Sequence, residues 1–158
     1  MTTNKTRWLL VGLVCLALWP AHASAQGGLW ETYMAAGVKA HQQGNYLEAE
    51  KQWAAAVKEA EGFGPEDPRL ATSLDRLATL YQAKGSYTEA ELLFQRSLAI
   101  DEKVLGPDHP DVARDLNNLA LLYNAQGRYA EAEPLYKRSL AINEKAFGFD
   151  HPEVATNL

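Results

Sequence analysis

Residues Pro110–His151 read PDVARDLNNLALLYNAQGRYAEAEPLYKRSLAINEKAFGFDH, and they repeat the stretch before them, Pro68–His109, PRLATSLDRLATLYQAKGSYTEAELLFQRSLAIDEKVLGPDH. The two copies agree at 24 of 42 positions, far more than unrelated helical stretches share. Self-similarity at a fixed period of this length signals a stacked array. A more diverged copy comes first: Gly44–Glu50, GNYLEAE, matches Gly85–Glu91 and Gly127–Glu133. In an array each unit touches only its neighbours, and the stack offers an extended surface suited to binding partners.

One unit shows how the residues dictate the packing. Pro110 suits the first position of a helix, where its missing N–H would have no partner anyway. Val112, Leu116, Leu119, Ala120 and Tyr123 then recur at spacings of three and four, so a helix over about 110–126 has one apolar face. Gly127 ends it, as Gly85 and Gly44 do in the other copies, by tolerating a left-handed backbone. A second helix starts near Tyr129, with Tyr129, Ala132, Tyr136, Ser139, Leu140 and Ile142 on its inner face, and Gly148 closes it. Ser86 followed by Glu89 predicts a capping box at the equivalent helix start of the second copy. Pro134 lies inside the later helix and should bend it by removing one backbone hydrogen bond. The units so defined span about 29–64, 67–106 and 109–148, with the start of a fourth at 151–158. No pair can bury its apolar faces alone, so each must stack on the next.

The ends of the chain carry separate expectations. Lys5 and Arg7 precede the apolar run Trp8–Trp19, WLLVGLVCLALW, which Pro20 breaks before Ala23-Ser24-Ala25. This is the layout of a cleavable secretory signal peptide over residues 1–25. The run is too short to cross a bilayer, which takes about 20 apolar residues. The expectation is export to the periplasm or outside the cell, with no stable membrane insertion after cleavage. Residues 26–158 then contain no cysteine and carry 13 basic against 20 acidic side chains, a net of −7. Disulfides and thiol chemistry are excluded there, and no basic stripe marks a nucleic-acid binder. At the other end, His151–Leu158 opens a fourth unit and stops two turns in. An array needs a cap there, so the expectation is a fragment of a longer chain, or an uncapped end covered by a partner or by self-association with a second copy.

Leu116-x-x-Leu119-Ala120-x-x-Tyr123, then Gly127-x-Tyr129-x-Glu131-Ala132-Glu133, then Tyr136-Lys-Arg-Ser-Leu-Ala-Ile142 resemble the tetratricopeptide repeat. The 42-residue period with Asp-His-Pro between units is similar to the variant seen in kinesin light chains. The first copy departs, with Ala36-Gly37 and Ala40 in place of Leu-Ala and Tyr, and Trp53 as its second-helix aromatic. The resemblance implies an all-α, right-handed superhelical solenoid of antiparallel helix pairs, whose first helices line a concave groove for peptides or protein segments. It places Met34, Val38 and His41 in that groove from the first unit, and Asp75, Arg76, Thr79 and Gln82 from the second. From the third it places Arg114, Asn117, Asn118, Leu121 and Asn124. A carboxamide such as Asn118 both donates and accepts, which suits an extended backbone. Arg76 interrupts such a ladder by standing where the third unit has Asn118.

Catalysis is not expected. Glu131 and Glu133 look like paired carboxylates, but Glu89/Glu91 and Glu48/Glu50 recur at the same place, near helix starts where the macrodipole favours negative charge. His109 and His151 recur beside proline, and stacked units would hold them roughly 10 Å apart, too far to share a metal. The chain calls for no cofactor and no metal. Two functions remain: an exported, non-enzymatic interaction scaffold, or the docking array of a longer exported enzyme such as a CHAT-type protease.

Overall fold

The structure is a computed structural model and describes residues 28–148, which form six helices and no strand. Helix α1 covers residues 28–42. It is followed by α2 (Tyr46–Glu61), α3 (Pro68–Ala83), α4 (Tyr87–Leu105), α5 (Pro110–Ala125) and α6 (Tyr129–Phe147). Odd and even helices alternate as the two arms of each unit. Packing is most extensive within a pair, α3 on α4 and α5 on α6. It continues between pairs through α2 on α3 and α4 on α5, and α3 also touches α5.

Local chemistry sets each boundary. Asp67 caps α3 by accepting the Arg69 N–H at 2.9 Å, and Pro68 takes the first helical position. The Arg69 guanidinium holds the Asp67 carboxyl below its ordinary range and lies 3.5 Å over the Phe63 ring. His109 does the same job for α5, its Nδ1 accepting the Asp111 N–H at 3.2 Å. The histidine before Pro110 is therefore a cap. Gly85 and Gly127 end α3 and α5 at φ of 80° and 74°, a backbone that residues with a Cβ seldom adopt.

The even helices are capped differently. Asn45 accepts the Glu48 N–H at 3.3 Å, whereas the Ser86 hydroxyl makes no cap hydrogen bond. The capping box expected at Ser86 and Glu89 is not formed. Asn45→Ala should therefore lower stability by about 1 kcal/mol, and Ser86→Ala by less than about 0.5 kcal/mol. Urea denaturation followed by circular dichroism measures both.

The apolar stripe of α5 is buried throughout: Val112, Leu116, Leu119, Ala120 and Tyr123 are all within 7% of full burial. On α6, Ala132, Ser139 and Ile142 are buried, while Tyr136 and Leu140 are half-buried. Tyr129, expected on the inner face, is 65% exposed. It is the first residue of its helix, a turn short of where α6 meets α5. Helix α6 runs on through Pro134 without a break, the proline lying on its exposed side.

Core and stitching both cross the unit boundaries. One cluster joins Ala78, Ala90 and Phe94 of the second unit to Leu119, Ala120, Leu122, Tyr123 and Ala132 of the third. Another joins Ala40, Ala49 and Trp53 of the first to Leu77 and Leu80 of the second. At each joint a tyrosine hydroxyl donates back to a glutamate one unit earlier, Tyr81 to Glu50 at 3.2 Å and Tyr123 to Glu91 at 2.9 Å. Lys84 and Arg128 neutralise those same carboxylates. The recurring glutamates thus fasten one unit to the next.

Candidate functional site

Helices α1, α3 and α5 present one face on which two hollows lie side by side. The first, about 500 Å³, sits between α1 and α3 and is lined mainly by Trp30, Met34, Ala35 and Val38, with Glu31, Lys39 and Gln42 at its rim. The second, about 300 Å³, sits between α3 and α5 and is polar, lined by Asp75, Thr79, Arg114 and Asn118. Thr72 and Arg76 of α3 line both.

The apolar wall is held in place from behind. Trp30 Nε1 donates to Ser73 Oγ at 2.8 Å, and that hydroxyl in turn donates to the Arg69 carbonyl at 2.7 Å. The Met34 sulfur lies 3.7 Å from the same oxygen. An indole already fixed by a part-buried hydrogen bond costs little to order when a ligand arrives.

The polar hollow is already knitted together. Asn118 Nδ2 donates to Asp75 Oδ1 at 2.8 Å, joining α5 to α3. The Thr79 and Thr72 hydroxyls donate back to the Asp75 and Pro68 carbonyls, leaving their oxygen lone pairs toward the groove. Arg114 is committed to Asp111, Asp115 and Asp101. Arg76 differs: it is exposed and has no ion pair or hydrogen bond among the described residues. Of the two groove arginines, one is spent on the protein and the other is open to a ligand.

Of the residues assigned to a groove from the sequence, Met34, Val38, Asp75, Arg76, Thr79, Arg114 and Asn118 line these hollows. His41 does not; its ring is turned to Tyr46 and Trp53, with centroids 5.4 and 5.5 Å away. Gln82 and Asn117 are half-buried outside both hollows, and Leu121 and Asn124 are exposed further along α5. The carboxamide ladder is not assembled, because Asn118 already serves the joint and Arg76 replaces its counterpart. Trp30, Thr72 and Lys39 lie outside the sequence assignment. The sequence gives no local signal for Trp30, since its role depends on Ser73, 43 residues away. Among the described residues no three His, Cys, Asp or Glu side chains come together as a metal site, and no helix is long and apolar enough to cross a membrane.

Comparison with known proteins bears on the whole stack. The family model described as "Tetratricopeptide repeat" matches residues 31–103, 74–145 and 116–158. Among solved structures, BtubC (BKLC) from P. vanneervenii superposes with a TM-score of 0.74 at 22% identity, covering 89% of this chain and 56% of that one. The kinesin light chain TPR-like repeats of Podosopora anserina give 0.72 at 29% identity, covering 80% and 61%. The N-terminal domain of stress-induced protein-1 from C. elegans gives 0.63 at 15% identity, covering 84% and 93%. The chain thus spans 56% and 61% of the length of the first two. Among curated proteins the sequence has no significant match.

Proposed function

The chain belongs to the tetratricopeptide repeat family, whose arrays are protein–protein interaction scaffolds, and from that premise we propose that its concave face holds a peptide or protein segment centred on α3. Arg76 carries this reading: an open guanidinium stands between an apolar hollow and a polar one and lines both. A fitting segment puts an apolar side chain against Trp30, Met34 and Val38 and a carboxylate on Arg76, with Lys39 adding positive charge at the rim. The polar hollow then takes backbone or hydroxyl groups on Thr72, Thr79 and the Asn118 carbonyl. The scaffold works by positioning its ligand and performs no chemistry on it.

Selection from a displayed peptide library tests this. Enriched peptides should carry an apolar residue next to an acidic one. Arg76→Glu and Val38→Asp should each weaken them by about tenfold or more, a loss of about 1.4 kcal/mol. Leu92→Ala, on the outer side of α4 at 63% exposure, should leave binding unchanged. Equal binding to all three variants would dismiss the groove.

Residues 1–25 lie outside the described residues, and we propose that they direct export and are cleaved after Ala25. Intact mass of the protein from the exported fraction should then fall from 17.4 kDa to about 15 kDa if nothing else is attached. A much larger mass would favour the other arrangement, in which the same groove docks substrates for a longer exported enzyme.

A further inference from the structure

The joint between the second and third units buries two acids that take no part in the groove. Asp101 lies near the end of α4 and Asp115 in the second turn of α5, and they are 4% and 1% exposed. Both carboxyl groups reach the same guanidinium nitrogen, Arg114 Nη2, and so converge across the joint. Two buried carboxylates that face a single cation repel one another, and the repulsion is relieved when one of them keeps its proton and can donate. Asp115 Oδ2 is buried without a hydrogen-bond partner among the described residues and is the oxygen placed to hold that proton.

One cation attends the pair. Arg114 Nη2 is 3.4 Å from Asp115 Oδ1 and 3.6 Å from Asp101 Oδ2, while its Nη1 is drawn outward to Asp111. Asp75 of α3 adds a further negative charge nearby, partly satisfied by Asn118. The charges acting most strongly on Asp115 therefore come from α3, α4 and α5. Only Arg114 among them is positive, and none belongs to α6. Nor is the pair part of the periodic pattern. Ser73 stands in the place of Asp115 one unit earlier, and Asn143 in the place of Asp101 one unit later.

We propose that Asp101 and Asp115 form a proton-dependent latch at this joint, closed while they share a proton and loosened when the proton leaves and two buried charges face a single guanidinium. The latch lies directly beneath the groove, because Arg114 both touches the pair and lines the polar hollow.

The sign of the effect follows from the two end states. Burial pushes the Asp115 carboxyl up to about 8, with the charge on Asp101 adding to the rise and Arg114 opposing it. Burial raises Asp101 as well. In the unfolded chain an aspartate titrates near its ordinary value of about 4. Between those limits the folded chain holds a proton that the unfolded chain has lost. Stability therefore falls as pH rises through that window and levels off above about 8. Asp67 and Asp108, lowered by Arg69 and Lys145, act in the opposite sense, and their contribution is lost only as pH falls into the acid range.

Thermal unfolding between pH 5.5 and 8.5 tests the latch on the full chain and on Asp115→Asn, which keeps the shape and a donor at every pH. The wild-type Tm should drop by about 5 °C more than the variant's over that range; parallel curves would overturn the proposal. A carboxyl-carbon NMR titration of the wild type is independent of how the variant folds. A midpoint above pH 7 for Asp115 supports the shared proton, and one near 4 refutes it.

Discussion

Phe94→Ala is expected to lower the stability of the chain by about 3–5 kcal/mol, the cost of deleting a buried aromatic ring from a close-packed site. Phe94 is 1% exposed and sits on α4 at the centre of the cluster that binds the second unit to the third. Its loss removes apolar contact within a pair and across a joint together. An array of this size has a total stability on the order of 5–15 kcal/mol, so the variant gives up a large share of it. The urea midpoint should fall accordingly, and α5 and α6 should lose hydrogen-exchange protection along with α3 and α4. Leu92→Ala, two residues away on the outer surface, should change stability by less than about 0.5 kcal/mol. A Phe94→Ala midpoint no lower than that of Leu92→Ala would mean that the core is not where these contacts place it.

Gly37→Ala is the second large effect, and it is conditional on Trp53. A methyl group on Gly37 would overlap Nε1, Cδ1 and Cε2 of the Trp53 ring, and overpacking of this kind costs about 1–3 kcal/mol. The same place holds Ala78 in the second unit and Ala120 in the third, and the partner of Ala78 is Phe94 instead of a tryptophan. The larger ring and the missing methyl are thus one compensated change. Gly37→Ala combined with Trp53→Phe reproduces the second unit's pairing and should recover most of the loss. It also removes an indole N–H that is buried without a partner, a feature that costs about 1–3 kcal/mol where it occurs. A double-mutant cycle on the urea midpoint reads the coupling directly. Additive effects of the two substitutions would show that the ring and the glycine do not meet.

That compensation marks the boundary of what the sequence makes legible. Helix positions, glycine ends and the apolar stripe of α5 follow from local rules that each unit obeys by itself, and they can be read from Pro110–Gly148 without knowing what packs where. Gly37 looks like a defect in a repeat until Trp53, 16 residues on, is seen to lie over it. Ser86 matches a capping pattern, yet a pattern does not fix a hydroxyl rotor, and the bond is absent. His41 lies outside both hollows for a similar reason, since its ring packs beside two aromatic rings of its own unit. Asp115 had a visible signal: it falls within the apolar stripe, three residues after Val112 and four before Leu119. What the stripe cannot say is that the partner across the joint is another acid.

The Tyr81–Glu50 and Tyr123–Glu91 contacts have a consequence for how such a chain finds its own register. Because both joints use the same tyrosine and glutamate, this fastening is blind to which neighbour it grips. A chain that skipped a unit, or borrowed one from another molecule, could still form it. The buried partners are not blind. Trp30 meets a serine at the first joint, and Asp101 meets an aspartate at the second. A slip by one whole unit would set Asp115 against Trp30 and leave Asp101 without its counterpart. Near-identical modules are prone to misassembly and exchange between chains. Here the dissimilar pairs serve as address labels, telling the second unit from the third where the repeat itself does not.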